Sequence, residues 1–218
     1  MTAKQARPIQ VAMEILKEIA RIVVPLLIIM DPLGNLPFFM MFTAGKTPAE
    51  RNRTAAVATV TAALILLFFA LTGNFVLNFF HISLPAFQLA GGFIFFIYAL
   101  QMLALIPTGL KTSDEEEHEA ISKDSVALVP LATPFLAGPG AITAVLVWRD
   151  RLAGLPIVAV FITAILLACL LVYLAFRFGH KITNLLGVGG IRVLTRLMGL
   201  LLAVIAAEFI VEGLRGVF

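Results

Sequence analysis

Six stretches of this chain, at about 20–43, 55–77, 85–107, 126–148, 153–176 and 194–214, are apolar over the length that a helix needs to cross a bilayer, roughly 20 residues. Few features constrain a fold more. Hydrocarbon offers no water, so every backbone N–H and C=O must find its partner inside the protein, and each stretch must be helical or buried. Composition agrees: 61% of residues are hydrophobic, 13% are charged and the mean hydropathy is +1.02, whereas a soluble domain carries roughly a quarter charged residues. The expectation is an all-α integral membrane protein with six transmembrane helices.

Two of these stretches break the rule that created them. DPLGNLPFF at 31–39 and TPFLAGPGA at 133–141 each hold two prolines five residues apart, Pro32 and Pro37 in the first, Pro134 and Pro139 in the second. Proline removes a donor and clashes with the carbonyl four residues back, costing about 3 kcal/mol inside a helix. Each pair should open a whole turn of backbone, helped by Gly34 in one and by Gly138 and Gly140 in the other. Opened backbone at membrane depth survives where it is buried in protein or lines a wet cavity. Helices one and four are therefore expected to be broken, with both breaks lining one site.

The remaining segments set boundaries. Residues 1–19 read as an N-terminal interfacial segment, and 9–21, where Ile15, Leu16 and Ile19 alternate with Glu14, Lys17, Glu18 and Arg21, read as an interfacial extension of helix one. A signal peptide is not expected, since a mixed-charge segment follows Lys4 and Arg7 in place of an apolar core and cleavage site. Thr47-Pro48 with Glu50 marks a helix start. The 108–125 loop carries DEEEHE at 114–119, read as a solvated acidic loop in preference to a metal site. Residues 178–193, rich in glycine, read as a surface connection or a short helix lying flat.

Charge and cysteine narrow the class. A formal charge of +3 suits juxtamembrane Lys and Arg better than a nucleic-acid footprint. The lone Cys169 excludes an intrachain disulfide. Lys46, Arg51, Arg53, Lys111, Lys123, Arg177, Lys181, Arg192 and Arg196 on one side outnumber Lys4, Arg7, Lys17, Arg21, Arg149, Arg151 and Arg215 on the other. The positive-inside rule then puts both termini outside the cytoplasm.

An offset of 102 residues superposes Pro32 on Pro134 and Pro37 on Pro139, and Gln101 falls opposite Glu208 when helices three and six are matched. Three helices per unit would make the second copy enter the membrane from the opposite face. The expected organisation is two inverted three-helix repeats, 20–107 and 126–218, joined by the acidic loop 108–125. Broken helices at equivalent places of inverted halves point to a transporter's midplane site.

DPLGNLPFF, VPLATPFLAGPGAIT at 129–143, GVGGIRVLTRLMGLLLA at 187–203 and ISLPAFQLAGG at 82–92 together resemble the MarC family of bacterial inner-membrane proteins. The resemblance runs from about residue 20 to the C-terminus. It implies six membrane helices, a location in the bacterial inner membrane, and movement of small neutral amino acids such as alanine and glycine, including export. The resemblance leads one to expect glutamine in the last helix where this chain has Glu208.

Each candidate residue has a functional and a purely structural reading. Asp31 either binds a coupling proton or Na⁺ and the substrate's ammonium, or caps the freed amides after the break. Asn35 either contacts substrate or satisfies local backbone. Gly34, Gly138 and Gly140 either admit a small substrate close to the backbone or serve helix packing. Thr133 and Thr143 either bond substrate or bond their own helix. Gln101 is a cavity-lining candidate. Glu208 is a second ion-coupling candidate, or an interfacial glutamate beside Glu212.

The function expected is a secondary transporter of small neutral amino acids working by alternating access, with no Walker motif, cofactor or metal. It is not expected to be an enzyme, for lack of a His/Asp/Glu cluster at membrane depth. The rivals are a non-transporting scaffold or partner subunit, and a transporter of another small solute or drug. A homo-oligomer in the bilayer is compatible with either.

Overall fold

The computed structural model describes residues 3–107, 131–133, 136–150 and 155–218, and all of its regular structure is helical among those residues. In chain order these are α1 (Ala3–Met30), α2 (Leu36–Phe42), α3 (Pro48–Phe79), α4 (Leu84–Met102), α5 (Pro139–Asp150), α6 (Leu155–Arg177) and α7 (Gly179–Val217). A π-helical turn at residues 131–133 and 136 precedes α5. The acidic loop 108–125 and Pro134 lie outside the described residues.

Helix starts follow the expected chemistry. Thr47 caps α3 in a reciprocal box: its hydroxyl accepts from the Glu50 amide at 3.3 Å, and the Glu50 carboxylate accepts from the Thr47 amide at 2.7 Å. Ser83 caps α4 by accepting from the Ala86 amide.

Among the described residues four helices are long and apolar enough to cross a membrane, over Pro48–Gly73, Leu84–Met102, Val158–Arg177 and within Gly179–Val217. The sequence led us to expect six. The two apolar runs that do not yield such a helix are the two that contain the breaks. α1 is long, but Glu14, Lys17, Glu18 and Arg21 lie along its middle, and it stops at Met30. α5 has 12 residues.

α1 runs unbroken through residues 9–21, as an extension of helix one should. Of the two readings of 178–193, the short helix is the one present: α7 is two helical arms joined by a kink at Gly187, where φ is 65°. Glycine is the residue that reaches that angle without strain.

α3 is apolar all round, as a helix between protein and lipid should be. Ala55, Ala58, Ala62, Leu66 and Ala70 are buried, while Val60, Leu64, Phe68, Leu71 and Phe75 are exposed. The exposed stripe recurs at three- and four-residue intervals.

The helices form two packed groups. In the first, α6 packs against α1 and α3, and α3 also meets α5. Its core holds Leu26, Met30, Leu36, Phe39, Leu66, Phe161 and Ile165. The Phe39 ring stacks on Phe176 at 4.6 Å, fixing the short α2 to the end of α6.

In the second group α4 and α7 run side by side along their lengths. Glycines allow the approach: a Cβ on Gly213 would lie 2.8 Å from the Leu89 nitrogen, and one on Gly92 would lie 2.9 Å from the Ile210 nitrogen. Phe95, Ala99, Leu202, Ala206 and Phe209 fill this second core. Buried Gln88 donates to Glu212 at 2.6 Å across the same pair. α1 meets α5 and α7, and α4 meets α5, so the two groups touch along a seam.

Candidate functional site

The first break is built from side chains. α1 ends at Met30, and Asp31 takes φ 38°, a left-handed conformation that Asp and Asn tolerate better than most residues. Its Oδ1 accepts from the Gly34 amide at 3.0 Å, and Asn35 Nδ2 donates back to the Met30 carbonyl at 2.9 Å. These bonds satisfy groups that the broken helix would otherwise leave open. A Cβ on Gly34 would collide with the Asp31 carboxylate, so a side chain here would displace that carboxylate from its bond to the Gly34 amide. Pro32 sits in the turn itself and Pro37 in the first turn of α2, where its missing donor costs nothing.

The second break is built from backbone. Ala137 donates to the Ala132 carbonyl at 2.9 Å, a five-residue spacing that widens the helix into a π-turn. Such turns are frequent at functional sites. α5 then starts at Pro139. The amides of Gly140 and Ala141 fall in its first turn, where no intrahelical acceptor exists.

The two breaks meet at the seam around a cavity of about 200 Å³. Its wall takes Ile29, Asp31, Gly34, Asn35 and Phe38 from the first break, and Gly138, Gly140 and Ala141 from the second. α4 adds Phe95, Tyr98, Gln101 and Met102, and α7 adds Thr195 and Leu202. Among the described residues Asp31 is the one charged residue in this wall. Its Oδ2, and Oδ1 of Asn35, have no hydrogen-bond partner among the described residues. A Cβ on Gly140 would stand 2.8 Å from the Phe95 ring, so glycine there sets the width of the cavity.

Of the residues selected from sequence, Asp31, Gly34, Asn35, Gln101, Gly138 and Gly140 come together in this wall. Three do not join them. Thr143 is buried, packs its methyl against Gly91 and donates its hydroxyl to the Pro139 carbonyl at 2.8 Å, the self-bonding alternative. Thr133 is exposed in the π-turn, and Glu208 is exposed on α7, outside the cavity that Gln101 lines. The side chain that reaches across to α4 is Glu212, through Gln88.

Sequence reasoning missed Phe38, Phe95 and Thr195, and left Tyr98 without a role. A signal was present for two of them. Phe95 and Tyr98 precede Gln101 at helical intervals, so an inward Gln101 brings both rings to the same face. Among the described residues no three His, Cys, Asp or Glu side chains gather as a metal site.

The sequence profile described as MarC family integral membrane protein matches residues 16–218. The chain is 40% identical over 188 residues to a UPF0056 membrane protein of Methanocaldococcus jannaschii, covering 86% of this chain and 91% of that one. A UPF0056 membrane protein of Pyrococcus abyssi is 37% identical over 206 residues, covering 94% of this chain and 98% of its own. The UPF0056 membrane protein YhcE of Escherichia coli is 36% identical over 190 residues, covering 87% and 88%. No solved structure matches the chain.

Proposed function

The chain belongs to the MarC family of integral membrane proteins, and from that premise we propose that it is a secondary transporter of small neutral amino acids. The observation that carries this reading is the cavity at the seam, where two helix breaks meet around one carboxylate. At about 200 Å³ it is smaller than the roughly 300–1,000 Å³ of pockets that take drug-sized ligands. That favours a small solute over a drug. Gly138, Gly140 and Ala141 offer backbone on one side, while Phe38, Phe95 and Tyr98 limit the space for a side chain.

The two ends of an amino acid need different partners. Asp31 and the Asn35 carbonyl oxygen accept from the ammonium. The first turn of α5, with its free amides and positive end, receives the carboxylate. Asp31 also carries the coupling proton or Na⁺. Glu208 has no part in this arrangement.

The packing supports an inverted repeat of six crossings, with the broken helices as the first and fourth. Exchanging the halves carries the α1–α6 contact onto α3–α5 and α1–α7 onto α4–α5. It carries α3–α6, α4–α7 and α1–α5 onto themselves. Alternating access then amounts to the glycine-packed α4–α7 pair moving against α3 and α6, with the seam opening to each side in turn. The Lys and Arg distribution favours termini outside the cytoplasm, and the family resemblance is what favours export.

Counterflow in proteoliposomes with labelled alanine, glycine, serine and threonine tests the reading. Uptake above that of empty vesicles is expected for the smaller members. No uptake by folded protein for any of the four would overturn it.

A further inference from the structure

A second, larger cavity of about 640 Å³ adjoins the first and shares Gly34, Met102 and Thr195 with it. It lies in the elbow of α7. Thr183, from the arm before Gly187, and Val188, Ile191, Arg192 and Arg196, from the arm after it, line one side. Pro37 and Met40 of α2 and Ala104 beyond α4 line the other.

The charges of the two cavities are opposite. Among the described residues Asp31 is the one charged residue in the wall of the first, and Arg192 and Arg196 are the charged residues in the wall of the second. The two arginines stand four residues apart, on one face of the helix. Neither has an ion pair or hydrogen bond among the described residues. The Thr183 hydroxyl, on the facing arm, is buried with no partner among the described residues. Arg192 and Arg196 are exposed, and they line the mouth of a concavity that adjoins the cavity holding Asp31.

We propose that this elbow is a carboxylate-capturing vestibule, in which Arg192 and Arg196 hold the carboxylate of a zwitterionic amino acid and turn its ammonium toward Asp31. The inference rests on the transporter reading above and deepens it. Guanidinium groups suit the role because they stay charged and bind carboxylates through two parallel hydrogen bonds. Between vestibule and cavity the substrate meets a field that matches its own dipole. A wrongly oriented zwitterion puts its ammonium beside two arginines and is repelled.

The test uses the full-length protein in two settings. In phosphatidylcholine nanodiscs, phenylglyoxal modification of Arg192 and Arg196 is followed by mass spectrometry, with Arg21 as the reference. Alanine should slow modification of both arginines relative to Arg21, and alaninamide, which lacks the carboxylate, should not. Protection by phosphatidylglycerol in the disc, with none by alanine, would assign the site to lipid phosphate and overturn the proposal.

In proteoliposomes, the R192Q/R196Q protein should raise the KM for alanine counterflow about tenfold, the loss of roughly one charge-assisted contact. The R192K/R196K protein, which keeps the charge, should recover part of that loss and control for folding. Unchanged KM in R192Q/R196Q, beside normal transport by the unaltered protein, would overturn the vestibule alone. Absence of alanine transport by the unaltered protein would overturn the transporter reading and the vestibule with it.

Discussion

The two helix breaks do the same structural job with different materials. At the first, Asp31 and Asn35 bond the backbone through their side chains, at 3.0 and 2.9 Å, and each keeps an oxygen that no described residue uses. At the second, Ala137 and Ala132 close a π-turn through the main chain, and the residues that reach the cavity are Gly138, Gly140 and Ala141. One break therefore delivers charge and polarity, while the other delivers room and amide groups. An amino acid with a small side chain needs both, and a repeat that stayed symmetrical would supply only one of them twice.

The largest effect should come from removing the charge at the first break. Asn tolerates the left-handed conformation of residue 31, so Asp31→Asn should fold. It should bind alanine about tenfold to a hundredfold more weakly, on the scale of a lost bond to a charged group. It should also lose its dependence on an imposed proton or Na⁺ gradient. Counterflow with and without each gradient reads both, and retained gradient dependence would return Asp31 to a capping role.

Glycine replacements separate the two breaks more finely. Gly34→Ala drives a Cβ into the Asp31 carboxylate, and we expect transport to fall nearly as far as in Asp31→Asn. Gly140→Ala meets the Phe95 ring, which can tilt, at a cost of about 1–3 kcal/mol for overpacking. Its main consequence should be selectivity: the counterflow ratio of glycine to threonine should rise. An unchanged ratio would mean that the second break does not bound the substrate.

Asn35→Ala should cost about 0.5–1.5 kcal/mol by leaving the Met30 carbonyl without its donor, read as a lowered thermal midpoint in detergent. The smallest effect belongs to Glu208→Gln. Glu208 is exposed and lies outside the cavity wall, so KM and gradient dependence should both remain as they are. A loss of coupling there would make α7 a second ionic element and would weaken the contrast between the two breaks.

The apolar runs and the paired prolines made the helical class and the position of both breaks legible without coordinates. Asp31, Gly34, Asn35, Gln101, Gly138 and Gly140 were legible for a related reason, since polar or glycine residues in a membrane helix need a cause. For Thr143 and Glu208 the sequence left two readings each, because type and depth do not reveal facing. Thr143 turns its hydroxyl to its own helix, and the glutamate that reaches α4 stands one turn later, at Glu212. Phe95 and Thr195 were invisible singly, since the sequence holds many phenylalanines and nothing in one chain says which meets a partner helix. The glycines at 187–190 marked the place where α7 divides into two arms, at Gly187.

The left-handed turn at Asp31 has a consequence for the energetics of recognition. A surface aspartate must give up rotamer freedom each time it meets a cation. Here the backbone angle and the bond from the Gly34 amide hold the carboxylate in position before anything arrives. The ordering cost has been met during folding, so more of the contact energy is available for discrimination. A rigid anion of this kind distinguishes ligands by where their positive charge lies, and a solute of the right size with that charge displaced would be a poor fit.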